Sequence, residues 1–96
     1  MKKRVVITGM GVVHSLGKDI DTFWNSVKEG KNGISTVTKF DTTDFSTKVA
    51  AQIDDFDPSA YIDKKDAKRM DLFSQYAIVA AQQAIDMAGL DAAKMD

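Results

Sequence analysis

The sequence has no cysteine and a single proline among its 96 residues. Without a thiol there is no disulfide, no thiolate metal ligand and no sulfur nucleophile in this chain. One histidine, His14, leaves no imidazole pair for metal binding or for shared acid–base work. No apolar run approaches the ~18 residues of a membrane-crossing helix. Charge of either sign is not in excess: 13 Lys and Arg face 14 Asp and Glu, for a net charge of −1. That balance argues against general nucleic-acid binding. The start, Met1-Lys2-Lys3-Arg4, is basic like the first part of an export signal. The apolar stretch after it is cut by glycines and has no small-residue cleavage site, so a signal peptide is not expected and the cytoplasm is the default compartment. There is no internal repeat and no low-complexity segment.

What is present is the composition of an ordinary globular protein, 44% hydrophobic and 28% charged. A chain of this length holds at most one small domain with a modest core. Val5, Val6 and Ile7 are three consecutive β-branched residues, which suit a strand buried on both faces. A strand over residues 5–9 is therefore expected at the centre of a sheet, leaving through a turn at Gly9 and Gly11. Asp19 offers a side-chain oxygen to a helix N-terminus. Ile20, Phe23, Trp24 and Val27 fall on one face of that helix, and Gly30 is placed to end it in the left-handed conformation. The spacing predicts a helix over residues 19–29.

Lys31-Asn32-Gly33 reads as a turn and residues 41–44 as loop. Val49, Ala51 and Ile53 alternate with Ala50 and Gln52, which predicts a short strand with one buried face. Asp57-Pro58 opens a short turn of helix through Tyr61. Asp63 with Asp66 three residues on resembles a capping box. From there a helix is expected to Ala88, with a break near Met70 where Asp71 caps a fresh start. Met70, Phe73, Ala77, Ala81 or Ala80, Ala84 and Ala88 make its apolar stripe, and Gly89 stops it. No further element is expected after Leu90. Two strands and one or two long helices do not close a sheet, so the chain reads as the opening of something larger, with no internal boundary across residues 1–96.

The Gly9-x-Gly11 turn invites comparison with a phosphate cradle. A dinucleotide fingerprint needs a third glycine three residues after the second, and His14 stands there instead. The helix also starts late, and no acidic residue ends a second strand. The stronger reading is that Gly9, Gly11 and Gly17 let the backbone pass close to another segment. His14 has no nucleophile or carboxylate partner in the pattern, so it is read as a loop histidine with a local hydrogen bond. Asp41, Asp44, Asp54, Asp55 and Asp57 do not have calcium-loop spacing and are read as turn and cap residues. Lys64, Lys65, Lys68 and Arg69 share roughly one side of a helix start. They form a solvated face or a docking patch for an acidic partner, where such charges chiefly raise the on-rate and fix orientation.

The run Arg4-Val5-Val6-Ile7-Thr8-Gly9-Met10-Gly11-Val12 resembles the N-terminus of the β-ketoacyl-acyl-carrier-protein synthases, the condensing enzymes of fatty-acid synthesis. Phe23-Trp24, Gly30-Lys31-Asn32-Gly33-Ile34, Lys39-Phe40-Asp41 and Asp55-Phe56-Asp57 keep the family spacing. Arg69-Met70-Asp71 with Phe73 and Gln75-Tyr76-Ala77 is the most specific part, and Ala88-Gly89-Leu90 ends the helix as the family does. The resemblance covers essentially the whole chain and is nearest to the dissociated bacterial synthases that elongate long acyl chains. Polyketide ketosynthases share much of the pattern. His14-Ser15, where Ser followed by Pro is frequent, and Leu72, where Arg is common, depart from it.

The resemblance implies an α/β, thiolase-like fold of two similar halves in α-β-α-β-α layers. This chain would be the incomplete beginning of the first half, with residues 5–9 as an inner strand. It implies a decarboxylative Claisen condensation, in which a cysteine takes the acyl group while two histidines assist decarboxylation and oxyanion stabilisation. None of those three residues stands in this chain, which alone is expected to be inactive. No cofactor is implied. The implied partner is an acyl carrier protein, met by Lys65, Lys68 and Arg69, and the parent is expected to be a homodimer. Gly9, Gly11, Gly17, Met70 and Asp71 are expected to be structural. A non-catalytic module for an acidic carrier is the rival from another class.

Overall fold

The computed structural model describes residues 2–94. Its order is α1 (Ile20–Lys28), β1 (Ser35–Thr36), β2 (Val49–Ala50), α2 (Lys64–Ala67), α3 (Leu72–Ala88) and a 3-10 turn at Ala92–Lys94. The solvent-accessible surface is 7923 Å². A self-contained domain of this mass exposes about 5,400 Å². The radius of gyration is 16.9 Å, against about 12–13 Å for a compact domain of this length. Ile62 and Val79, 6% and 3% exposed, are the buried apolar side chains among the described residues.

The 17-residue α3 is the element on which the rest is laid. Gly9 and Gly11 run so close to it that a Cβ on Gly9 would strike the Ala84 carbonyl oxygen, and one on Gly11 that of Ala80. Small side chains at Ala80, Ala84 and Ala88 make that approach possible. Gln83 pins the same segment: its Oε1 accepts from Val12 N–H at 3.1 Å, and its Nε2 donates to the Lys18 carbonyl at 2.6 Å. One glutamine thus supplies what a neighbouring strand supplies in a sheet.

The strand expected over residues 5–9 forms no ladder among the described residues, and Val5, Val6 and Ile7 are 94%, 64% and 86% exposed. The expected burial on both faces is therefore overturned for the described residues. The cause is that none of them lies alongside to accept the strand's backbone groups. The sheet that does form is a two-residue antiparallel pair, with Ser35 opposite Ala50 and Thr36 opposite Val49. β1 went unforeseen, and β2 is shorter than the alternation over residues 49–53 implied. The alternation does not hold in the burial: Val49 and Ala51 are exposed, whereas Ala50, Gln52 and Ile53 are partly covered. Gln52 explains the early stop, because its side-chain oxygen accepts from Thr38 and Lys39 N–H in place of a backbone carbonyl.

α1 follows its sequence signals. The Asp19 carboxylate accepts from Thr22 N–H at 2.8 Å, and Gly30 takes a φ of +72° just beyond the helix. The apolar stripe is only half used, since Trp24 and Val27 face solvent. Ser26 is instead the buried residue, donating to the Leu16 carbonyl at 2.8 Å. Residues 58–62 form a turn closed on the Pro58 carbonyl rather than a helix. The long helix does break near Met70, and Gly89, at φ +68°, ends α3. Of the expected stripe, Phe73, Ala77 and Ala81 are exposed, whereas Met70, Ala80, Ala84 and Ala88 are partly covered. The covered face adds Gln75, Val79 and Gln83 to Ala80, Ala84 and Ala88, because that side meets the glycine segment and the 56–62 turn.

Candidate functional site

The basic turn is built at the junction of α2 and α3. Asp63 precedes α2 but its side chain makes no cap hydrogen bond, so the Asp63–Asp66 capping box does not form. Asp are shorter than Glu at the third helical position and reach the cap backbone poorly. After Ala67 the chain tightens: Arg69 N–H donates to the Asp66 carbonyl at 3.1 Å and Met70 N–H to that of Ala67 at 3.2 Å. The α2 exit is then tied to α3 by Gln75, whose Nε2 donates to the carbonyls of Ala67 at 2.9 Å and Met70 at 3.1 Å. The Ala67 carbonyl thus accepts from both Met70 N–H and Gln75, which secures carbonyls that helix ends tend to leave short of partners. Asp71 stands at the N-cap of α3 without a side-chain bond; its carbonyl accepts from Ser74 and Gln75. Met70 is half-buried under the turn.

Lys64, Lys65, Lys68 and Arg69 are all exposed. The ion pair found among the described residues is Lys31 with Glu29, so none of the four is paired with another described residue. Across residues 63–71, four cations stand against the three carboxylates of Asp63, Asp66 and Asp71, leaving one net positive charge. The turn thus offers separate unpaired donors rather than a strong field. Lys64 and Lys68 lie i and i+4 apart, one turn of helix, the spacing at which side chains share a face.

A groove of about 550 Å³ opens beside them. Ile62, Ala67, Pro58 and Gln75 line it, and the exposed Lys64, Lys68, Asp57 and Ser59 stand at its edge. Asp57 accepts from Ser59 N–H at 3.0 Å, and that bond, helped by the Ser59 side chain, holds its carboxyl below the usual range. Of these lining residues Ile62 and Ala67 went unnoticed in the sequence, and Gln75 was noted only within the motif Gln75-Tyr76-Ala77. The available signal was a glutamine inside an otherwise apolar helical face.

The glycine loop forms the second feature. His14 and Gly17 exchange backbone hydrogen bonds at 2.9 and 3.1 Å, and His14 Nδ1 accepts from Leu16 N–H at 3.1 Å. With that nitrogen committed and its ring edge-on to Phe23 at 5.0 Å, His14 is a local structural residue. Gly9 and Gly11 are filled by α3 and Gly17 by the first turn of α1, so no empty cradle for a phosphate exists along them. A separate hollow of about 380 Å³ touches His14, Lys18, Asp19 and Asp54. Ser15 lines it as well, but its hydroxyl makes no hydrogen bond among the described residues and is not paired with His14, whose Nδ1 is taken by Leu16 N–H. No group of three or more potential metal ligands occurs among the described residues. No helix there is long and apolar enough to cross a membrane.

Comparison with known proteins gives this geometry a family. The model of the β-ketoacyl synthase N-terminal domain matches residues 2–96. The chain is 47% identical over 90 residues to 3-oxoacyl-[acyl-carrier-protein] synthase 2 of Vibrio harveyi, covering 94% of this chain and 22% of that protein. It is 48% identical over 89 residues to the synthase 2 of Staphylococcus aureus strain COL, covering 93% and 22%. Among solved structures, the ishigamide ketosynthase/chain length factor superposes with a TM-score of 0.80 at 33% identity, over 94% of this chain and 22% of that one. A type II polyketide ketosynthase, AntDE, in complex with its acyl-carrier protein AntF and bound to the hexaketide, gives 0.72 at 29% identity, over 99% and 23%. The chain thus spans less than a quarter of the relatives' length. It belongs to the β-ketoacyl synthase family, in which it matches the N-terminal domain.

Proposed function

We propose that the chain is the N-terminal portion of a chain-elongating 3-oxoacyl-acyl-carrier-protein synthase, acting in the cytoplasm. The observation that carries this reading is 47–48% identity to synthase 2 proteins over nearly the whole of this chain. The reaction is the decarboxylative condensation of malonyl-carrier with an acyl-carrier. The chain contributes to the first layers of a thiolase-like α-β-α-β-α fold, with residues 5–9 as an inner strand. Their exposed, unpaired backbone here is what such a strand would present before its neighbours are added. The catalytic cysteine and histidines lie outside these 96 residues, and the assembled enzyme is a homodimer.

The part of the function carried by this chain is docking of the acyl carrier protein by Lys65, Lys68 and Arg69. Their exposure and their lack of an ion-pair partner among the described residues support it. So does the complex of a similar ketosynthase with its carrier. In the full-length synthase, changing the three residues to Glu should raise KM for the carrier at least about tenfold, because several approaching charges reverse. Cysteine acylation by a carrier-free acyl thioester should be unchanged. An unaltered KM would remove the docking role.

A second reading is a polyketide ketosynthase, favoured by the type II polyketide ketosynthase complex among the solved structures that superpose on the chain. Mass spectrometry of products from malonyl-carrier separates the two. A single two-carbon extension per turnover marks the fatty-acid enzyme, and an unreduced poly-keto chain marks the other.

A further inference from the structure

The two asparagines of the chain stand in opposite surroundings. Asn25 lies within α1 and is followed by Ser26, which is buried and whose N–H is taken up by the helix. Asn32 is exposed, lies between α1 and β1, and is followed by Gly33. Its side-chain oxygen, Oδ1, accepts from Ile34 N–H at 3.0 Å. That bond closes an Asx turn whose ring contains both Cγ of Asn32 and the main-chain nitrogen of Gly33. Gly33 N–H has no hydrogen-bond partner among the described residues. Glycine also sets no Cβ beside its own nitrogen. A carbonyl carbon polarised by a donor on its oxygen therefore shares one tight turn with an uncommitted nitrogen.

We propose that Asn32–Gly33 is a self-modifying site, at which the chain converts asparagine to isoaspartate and aspartate without an enzyme. Gly33 N attacks Asn32 Cγ, and the N–Cγ bond forms. The Cγ–Nδ2 bond breaks, and the side-chain nitrogen leaves as ammonia with the proton that Gly33 gave up. Ile34 N–H holds the negative charge that gathers on Oδ1 as the carbon becomes tetrahedral, as an oxyanion donor does. Water then opens the succinimide, its hydroxyl going to a carbonyl carbon and its proton to the ring nitrogen. Opening at the side-chain carbonyl gives aspartate. Opening at the main-chain carbonyl gives isoaspartate, in which the main chain runs through Cβ. Both products set a new carboxylate beside Lys31, which is paired with Glu29 at 3.2 Å. Isoaspartate also lengthens the backbone where there is no slack: a Cβ on Gly33 would lie 2.5 Å from Ser15 Oγ and 3.0 Å from Leu16. The added methylene shifts β1, which begins at Ser35 and pairs with β2.

The test incubates the full-length synthase at neutral pH and follows both asparagines by peptide mass spectrometry, with isoaspartate and aspartate peptides separated. Asn32 should convert at least about tenfold faster than Asn25, which must wait for α1 to open. Isoaspartate should be among the products. Conversion to aspartate alone would mean direct hydrolysis and overturn the attack by Gly33, and equal rates at the two positions would overturn the site. A second incubation in denaturant separates structure from sequence. Asn25 should accelerate on unfolding, whereas Asn32 should stay within about twofold of its folded rate, because no opening is needed there. A folded Asn32 that is protected about tenfold or more would overturn the proposal. The converted protein carries an extra negative charge and can be isolated by ion exchange. In its isoaspartate form the Val37 amide, which donates to the Lys48 carbonyl at 2.9 Å beside the β1–β2 pair, should exchange its hydrogen at least about tenfold faster. Unchanged exchange would overturn the coupling of the site to β1.

Discussion

Residues 5–7 and residues 9–12 are separated only by Thr8 and neither carries a charge, and they meet opposite fates. Val5, Val6 and Ile7 stand exposed with no ladder partner, whereas Gly9, Gly11 and Val12 are pressed onto α3. Composition separates them only in that Gly9 and Gly11 permit a close approach. The further difference is that the second group has its counterpart in the same chain: alanines that leave room, and a glutamine that replaces the missing backbone partner. Apolar residues drive burial, but backbone donors and acceptors decide where burial is permitted. Where no partner for the backbone is at hand, three of the best strand formers remain in solvent.

The comparison breaks most sharply at Gly11. A valine there must overlap the backbone of α3 at Ala80, and backbone cannot rotate aside. Gly11→Val in the full-length synthase should destabilise it by more than about 3 kcal/mol, at the upper end of overpacking effects. Chemical denaturation measures it; a loss below about 1 kcal/mol would mean that the close approach is not retained in the complete enzyme.

Gln83 is the next largest. Gln83→Leu keeps the volume but leaves Val12 N–H and the Lys18 carbonyl without partners. Each part-buried unsatisfied group costs about 1–3 kcal/mol, so a total near 2–4 kcal/mol is expected, eased if water enters. The Val12 amide should also exchange its hydrogen at least tenfold faster than the Gly17 amide, whose bond to the His14 carbonyl is untouched. Equal acceleration at both positions would show a general loosening rather than a lost pin.

Much of the local structure was legible because its cause is local. Asp19, Gly30 and Gly89 announce helix ends by cap chemistry that needs no distant partner, and all three act as expected. The break before α3 was readable at Asp71, although main-chain rather than side-chain bonds secure it. The lysine cluster was readable as a shared face. The groove beside it was not, because it depends on Ile62 and Pro58 arriving from a separate turn and on Gln75 folding back over two carbonyls. Three glutamines, at positions 52, 75 and 83, each substitute for a backbone partner, and no periodicity marks them. The buried face of α3 was legible only in part for the same reason. Ala80, Ala84 and Ala88 of its apolar stripe do meet the glycine segment, but Gln75 and Gln83 join that face and Phe73, Ala77 and Ala81 do not.

Residues 5–7 yield a smaller but more telling effect. Val6→Lys in the isolated 96-residue chain should change stability by less than about 0.5 kcal/mol, since an exposed side chain has little packing to lose. It should also reduce self-association seen by sedimentation, because a charge on an unpaired edge discourages strand addition. In the full-length synthase the same substitution should cost at least about 2 kcal/mol, provided the segment is an inner strand. A similar small cost in both settings would remove the inner-strand assignment.

The smallest effect tests whether local satisfaction also governs the loops. The Asp41 carboxylate accepts from the Thr43 hydroxyl and from Thr43 N–H, and these bonds favour its charged form and lower its pKa below 3.8. Because the folded value lies below the unfolded one, the stabilisation is fully present above about pH 4 and fades as pH falls through the folded pKa. Thr43→Val deletes the hydroxyl, the larger cause, and keeps the backbone donor. The Asp41 pKa, followed by carbon-detected NMR titration, should move up toward 3.8 without reaching it. Asp57 provides the contrast, because there the Ser59 backbone N–H is the larger cause. Ser59→Ala should therefore raise the Asp57 pKa by a smaller fraction of its depression than Thr43→Val does for Asp41. The opposite ranking would mean that hydroxyl and backbone donors have exchanged weight in these turns. The loops would then owe less to the nearest main-chain group than the glycine segment does.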